Sequence, residues 1–177
     1  MSILVTGGAG FIGSHTCLSL LQKGYEVISI DSYVNSHKTS LDRVLEISKT
    51  DRKNKSVDIK SLELDVRNEK ELDELFLQSQ KIGKPIQAVI HFAGLKSVKD
   101  SVLNPLTYWD VNLNGSINLF RVMNRYKCKT IVFSSSATIY DSSNNRPLDE
   151  NIEIKPINPY GRTKAAVEQL LGDIYAS

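Results

Sequence analysis

Tyr160 and Lys164 stand four residues apart in the run Tyr160-Gly161-Arg162-Thr163-Lys164. On a helix that spacing puts both side chains on one face, one turn apart. A free phenol titrates near pH ~10, too high for a base at neutral pH. A neighbouring ammonium favours the phenolate and lowers that value. Such a pair can therefore accept a proton from an alcohol. Taken alone the motif is common by chance, and two exposed helix residues are its ordinary reading.

A second group of hydroxyls lies in Phe133-Ser134-Ser135-Ser136-Ala137-Thr138, at the end of an apolar run. Ligands of open parallel sheets bind beyond the carboxyl ends of the strands. Serines there would face that crevice and could bridge a substrate oxygen and Tyr160. The competing reading for any one of them is a turn serine bonded to its own backbone.

The third feature is Thr6-Gly7-Gly8-Ala9-Gly10-Phe11-Ile12-Gly13. A phosphate must approach backbone closely at a helix N-terminus, and side chains would block it, so glycines line the turn. The exposed N–H groups and the helix dipole then bind a pyrophosphate, while the third glycine lets the helix pack closely on the strand. The spacing is Gly-x-x-Gly-x-x-Gly, and it gains weight from Asp31 at the end of the following strand. A carboxylate there accepts from adenosine ribose hydroxyls and repels a 2′-phosphate, which favours NAD over NADP. The competing reading is a plain tight turn with a solvated Asp31.

The elements that must position these groups alternate along the chain. Short apolar runs at Ile3-Leu4-Val5, Tyr25 to Ile30, Ile59 to Leu64, Ile86 to His91 and Thr130 to Phe133 read as strands. Helices are expected at Phe11 to Lys23, with Ile12, Leu18 and Leu21 apolar, and at Thr39 to Lys49. Others are expected from Asn68 to about Ile82, Pro105 to about Tyr126, and Pro159 to about Tyr175. Asn68 can cap its helix, with Glu71 completing a capping box, and Pro159 suits a first turn. In the last helix Ala166, Val167, Leu170, Leu171 and Ile174 are the apolar positions. The polar stretches Thr50 to Lys55 and Asp141 to Arg146 read as loops. Strand-helix alternation of this kind predicts an α/β fold, a doubly wound parallel sheet covered on both faces.

With 177 residues, the chain is long enough for one domain with a real core and short for two. Hydrophobic residues at 41% and charged residues at 24% exclude a disordered chain. A net charge of +2 argues against nucleic acid or an anionic membrane as partner. The sequence shows no signal-type or transmembrane segment, and a cytoplasmic location is the expectation. Cys17 and Cys128 are far apart, fit no metal spacing, and read as buried small residues or idle thiols. No metal is expected.

Together these residues resemble the extended short-chain dehydrogenase/reductase family, in its sugar-nucleotide epimerase members. The resemblance is carried by Val5 to His15, Asp65-Val66, His91 to Val98, Asn112 to Gly115, Phe133 to Tyr140 and Asn158-Pro159-Tyr160. It covers essentially the whole chain. Ala93-Gly94-Leu95-Lys96 and Ser134 to Thr138 are its most discriminating runs. Related dehydratases would show an acidic pair where this chain has Ser136-Ala137-Thr138.

The resemblance implies a Rossmann-type domain over residues 1–177, with NAD as cofactor and a UDP-sugar as substrate. It implies interconversion of UDP-glucose and UDP-galactose by transient oxidation at the sugar C4. Tyr160 would be the base, Ser136 the hydroxyl beside it, and Lys164 the residue that holds the nicotinamide ribose and tunes Tyr160. Gly7, Gly10, Phe11, Ile12 and Gly13 would line the pyrophosphate. Asp31, Ser32, Asn35 and Ser36 would meet the adenosine ribose, and Asp65 and Val66 the adenine. Phe92, Ala93, Gly94, Leu95 and Lys96 would follow the middle of the cofactor, Lys96 also approaching the substrate. Asn112 would hold backbone near the cofactor. A homodimer through the Pro105 to Tyr126 helix and the Tyr160 helix is a further implication. The chain departs from the family pattern at Asp141, where glycine is usual, at Ser97, where alanine is usual, and at Asp110, before Val111-Asn112, in place of one of an asparagine pair.

The family's chain is roughly twice as long, so this one is expected to be its N-terminal part, ending before the substrate domain. The fifth strand would then be an exposed edge, and the isolated chain aggregation-prone or oligomeric and poor at turnover. Two alternatives stay open: a related sugar-nucleotide dehydratase or reductase, and a dinucleotide-binding module without activity.

Overall fold

A computed structural model describes residues 1–50, 59–141 and 147–176. Most of the loop expected over Thr50 to Lys55, and most of the one over Asp141 to Arg146, lie outside the described residues. By contact density the chain divides into two units, Met1–Ala93 with Asn118–Ser134, and Gly94–Ile117 with Ser135–Ser177.

The first unit is built on five parallel strands, β1 (Ser2–Thr6), β2 (Glu26–Asp31), β3 (Ile59–Glu63), β4 (Ile86–His91) and β5 (Thr130–Phe133), in the order β3-β2-β1-β4-β5. Every residue of β1 is buried, as a central strand covered on both faces demands. Leu4, Val5, Val27, Ile30 and Val89 form its centre. The strand order reverses between β1 and β4, and ligands of such sheets settle beyond the carboxyl ends at that reversal. Thr6 and His91 are the last residues of those two strands and stand in register.

The helices of this unit follow the sequence pattern. α1 (Phe11–Gln22) buries Gly13, Cys17 and Leu21, while Ile12, expected on its apolar face, is 60% exposed at the mouth of the glycine turn. α2 spans Thr39–Thr50. α3 (Glu69–Lys81) is capped by Asn68, whose Oδ1 accepts the Glu71 N–H at 3.2 Å, and buries Leu72, Leu75, Phe76 and Ser79. Both cysteines are buried, and burial pushes the Cys17 thiol up to about 12, which leaves it an inert core residue. β5 is the sheet edge among the described residues, with Val132 59% exposed.

The helix expected over Pro105 to Tyr126 runs without a gap from Pro105 to Arg125, but its middle widens to a π-helix. A helix absent from the sequence reading, α4 (Val98–Leu103), precedes α5 (Pro105–Tyr108), a π-helical segment (Trp109–Asn114) and α6 (Gly115–Arg125). Ser97 starts α4, its Oγ accepting the Asp100 N–H at 3.2 Å. An alanine there would leave that donor uncapped, so the departure at Ser97 has a local use. A 3₁₀ turn (Ala137–Ile139) and α7 (Pro159–Ala176) complete the second unit. Tyr140 bridges Ile154 in antiparallel fashion, and the non-glycine residues with positive φ are Tyr33 and Lys127 among the described residues. Asp141 therefore needs no glycine-like backbone.

Candidate active site

In the first unit β1 runs straight into the glycine turn. Gly7 has φ +68°, and a Cβ on it would stand 2.7 Å from the Ala93 nitrogen and 2.9 Å from the Phe92 carbonyl carbon. Gly13 is needed for a different contact from the one expected. Its added Cβ would meet the turn itself, 2.8 Å from the Gly8 Cα, rather than the strand. Gly10 is the N-cap of α1, no side chain caps it, and the first turn carries no acidic residue. Those are the properties an anion needs at a helix N-terminus. Phe11, 78% exposed, and Ile12 flank that opening.

Asp31, at the end of β2, is buried rather than solvated. Its Oδ1 accepts the Tyr33 N–H at 2.9 Å and the Ser36 hydroxyl at 2.8 Å, and its Oδ2 accepts the Ala9 N–H at 3.0 Å. The carboxylate thus ties the loop after β2, in which Tyr33 has φ +55°, to the glycine turn. A carboxylate has about four acceptor positions, so one remains for a ribose hydroxyl. Ser32 and Asn35 lie on the same loop. The loop closure by Tyr33 was not read from the sequence, because an aromatic residue carries no signal for positive φ.

Asp65, just beyond β3, meets Arg67. Both carboxylate oxygens accept from the guanidinium, with Nη2 to Oδ2 at 2.7 Å and Nε to each oxygen at 3.1 Å. That hydrogen bonding holds the Asp65 carboxyl below the usual carboxylate range, against the opposing effect of partial burial. Val66 beside it is buried. Phe92 and Ala93 continue β4, with the Phe92 N–H bonded to the Thr6 carbonyl at 3.0 Å.

In the second unit Tyr160 and Lys164 are both buried, on the same face of α7 as Gly161, Thr163 and Val167. That face is more polar than the apolar stripe expected, and Ile174 is 47% exposed. The Tyr160 ring meets Tyr108 edge-on at 6.4 Å. A Cβ added at Gly94 would come 3.7 Å from the Lys164 Nζ, so the ammonium lies against that backbone. Burial pushes the Lys164 ammonium down to about 8, which leaves it mostly protonated at neutral pH.

Asn112 organises this unit. Its Oδ1 accepts the Leu95 N–H at 2.8 Å, and its Nδ2 donates to the Leu95 carbonyl at 3.0 Å and to Thr163 Oγ1 at 3.1 Å. Thr163 in turn donates to the Tyr160 carbonyl at 2.7 Å. Asn112 lies within the π-helical segment, and the Ser116 hydroxyl donates to its carbonyl at 2.5 Å. Such local widening recurs at functional sites. Lys96 is exposed beyond Leu95. Ser136 takes the turn-serine role as the N-cap of the 3₁₀ turn, accepting the Thr138 N–H at 3.2 Å. Thr163, absent from the sequence reading, was marked only by lying between Tyr160 and Lys164.

The Lys164 burial has a measurable consequence. Between about pH 8 and 10.5 the unfolded chain binds more protons at this lysine than the folded chain does, so this group's contribution to stability rises with pH across that window. Below pH 8 both states carry the charge and the full burial penalty applies. Lys164→Met is expected to raise stability at pH 7 by up to about 3 kcal/mol. Denaturant melts at pH 7 and 9.5 are expected to show the gap from the original chain closing as pH rises.

A strand, an uncapped glycine turn and a helix, with a buried acid on the next strand, define a Rossmann-type, dinucleotide-binding fold. Tyr160 and Lys164, both buried, lie on α7 of the second unit. Comparison with known proteins agrees. Residues 3–177 match the NAD dependent epimerase/dehydratase family, and the chain belongs to that family. It is 44% identical over 177 residues to a UDP-glucose 4-epimerase of Bacillus subtilis (strain 168), covering all of this chain and 49% of the relative. It is 46% identical over 172 residues to a bifunctional UDP-glucose 4-epimerase and UDP-xylose 4-epimerase of Pisum sativum, covering 97% of this chain and 47% of the relative. A crystal structure of UDP-glucose 4-epimerase from Bifidobacterium longum in complex with NAD+ and UDP superposes with a TM-score of 0.89 at 41% identity, covering 99% of this chain and 49% of that one. The chain spans about half the length of the curated relatives it matches. No helix among the described residues is long and apolar enough to cross a membrane.

Proposed function

We propose that this chain is the cofactor-binding and catalytic half of a sugar-nucleotide 4-epimerase, cytoplasmic and homodimeric, that interconverts UDP-glucose and UDP-galactose. The observation that carries the reading is the buried Tyr160–Lys164 pair, held by Asn112 through Thr163. Family membership and the 44% identity to a named epimerase support it.

The residues present fit NAD. The glycine turn is packed so closely that a Cβ at Gly7 or Gly13 would meet backbone, its helix N-terminus carries no side-chain cap, and Asp31 keeps an acceptor position for the adenosine ribose. Gly7, Gly10, Phe11, Ile12 and Gly13 would hold the pyrophosphate, with Asp31, Ser32, Asn35 and Ser36 at the ribose and Asp65 and Val66 at the adenine. Phe92 to Lys96 and Asn112 would support the middle, and Lys164 the nicotinamide ribose. When bound, NAD supplies a reversible hydride acceptor at the sugar C4. Tyr160 takes the proton of the 4-hydroxyl at its phenolic oxygen and later returns it. Lys164 keeps a positive charge one turn away, which favours the phenolate while the proton is off. Ser136 would donate to the same sugar oxygen, and Lys96 would meet the substrate's charged end. Asn112 keeps the Leu95 backbone and α7 in one arrangement, so the base needs no reorganisation.

Incubating the purified chain with UDP-galactose and NAD tests this. Retained NAD and slow formation of UDP-glucose are expected. Accumulating NADH would assign a dehydrogenase, bound NAD without product a binding module, and no affinity for NAD removes the reading.

A further inference from the structure

The imidazole of His91 is fully buried, and the chemistry outlined for the site does not use it. Its ring lies 6.2 Å from that of Phe120, edge-on, and 5.7 Å from that of Phe133. Nδ1 is 2.6 Å from the Thr6 hydroxyl, itself fully buried. That hydroxyl also accepts the Ala93 N–H at 3.1 Å. A hydroxyl has one proton to donate. With one lone pair turned to Ala93, its proton is satisfied only if Nδ1 is an acceptor. The geometry therefore fixes the tautomer, a neutral ring with its proton on Nε2. The alternative, with Nδ1–H donating, would leave the Thr6 proton buried without a partner, at a cost comparable to a lost hydrogen bond.

The position of this pair gives it a consequence. Thr6 and His91 end β1 and β4 at the reversal of strand order, and Ala93 is the backbone against which Gly7 closes. The Thr6 hydroxyl replaces the next rung of the ladder where the two chains part. We propose that His91 is a positioning residue for the dinucleotide: by accepting the Thr6 proton it turns the Thr6 oxygen onto Ala93 and fixes the seam between the glycine turn and the end of β4. This rests on the reading of the chain as an NAD-binding protein only for its effect on affinity. The tautomer and the clamp on Ala93 stand independently of it.

The chain has three histidines, so the ring nitrogen shifts of His91 can be assigned by NMR with a His91→Asn variant as reference. A pyridine-type Nδ1 and a protonated Nε2 are expected, and a protonated Nδ1 overturns the proposal. His91→Phe keeps an aromatic ring between Phe120 and Phe133 but removes the acceptor. It is expected to speed hydrogen exchange at the Ala93 amide and to weaken NAD binding by about tenfold. His91→Asn, which offers an acceptor where Nδ1 lies, is expected to restore most of both. Thr6→Val should reproduce the loss and Thr6→Ser should not, which decides the matter if His91→Phe fails to fold. Unchanged Ala93 exchange in the folded His91→Phe or Thr6→Val chain overturns the proposal. If the original chain binds no NAD, the functional reading fails, while the tautomer and the exchange rates still decide the role of His91.

Discussion

Gly7→Ala is expected to destabilise the chain by about 2–5 kcal/mol and to abolish retention of NAD. Two costs combine. The left-handed backbone at φ +68° costs a residue with a Cβ about 1–2 kcal/mol. The added carbon would also sit 2.7 Å from the Ala93 nitrogen and 2.9 Å from both the Ala93 Cα and the Phe92 carbonyl carbon. All three atoms are backbone at the end of β4, so no side chain can swing aside, and overpacking of this kind costs about 1–3 kcal/mol. For a chain of this size each kcal/mol moves the melting point by about 2–4 °C, so a fall of about 4–20 °C is expected. Any relaxation must separate the glycine turn from β4, which displaces the N–H groups proposed to hold the pyrophosphate. Calorimetry and NAD titration check the two effects separately. A variant that melts with the original chain and keeps its NAD would refute the close approach at this position.

Tyr160→Phe is expected to lower conversion of UDP-galactose by about 10²–10⁴-fold, the usual contribution of a positioned proton acceptor. The substitution keeps the ring that meets Tyr108 and removes only the hydroxyl. Melting temperature and NAD affinity are therefore expected to stay close to those of the original chain. Turnover loss with intact binding assigns the phenol to the chemical step. Equal turnover by the two chains would remove Tyr160 from the mechanism.

The strands and four of the helices, α1, α2, α3 and α7, were legible in the sequence because their signals are local. Apolar runs bounded by turn residues marked β1 to β5 within a residue or two. Asn68 capped α3 as its spacing with Glu71 implied. The helix from Pro105 to Tyr126 was legible in its extent, but its π-helical middle was not, because every residue in it is compatible with α-helix. In that segment the Asn112 amide is used on the Leu95 backbone and on Thr163, neither of them near in sequence. The same distinction runs through the site. Gly7, Asp31, Tyr160 and Lys164 were marked by type and spacing. Thr163 and the Thr6–His91 pair were not, because each acts through a partner that folding alone brings near, and Tyr33 and Arg67 were not, because neither residue type signals its local bond to the acid two positions before it.

By itself the sequence determined the order of the elements, the glycine turn, the acid that follows it and the Tyr-Lys spacing. These depend on backbone preferences and side-chain periodicity, which act over a few residues. The tertiary structure decided their state. It buried Asp31 and used three of its acceptor positions, pushed Lys164 down to about 8, and turned Asn112 into the tie between Leu95 and Thr163. Desolvation and long-range hydrogen bonds set those states, and both come into being only when distant segments meet.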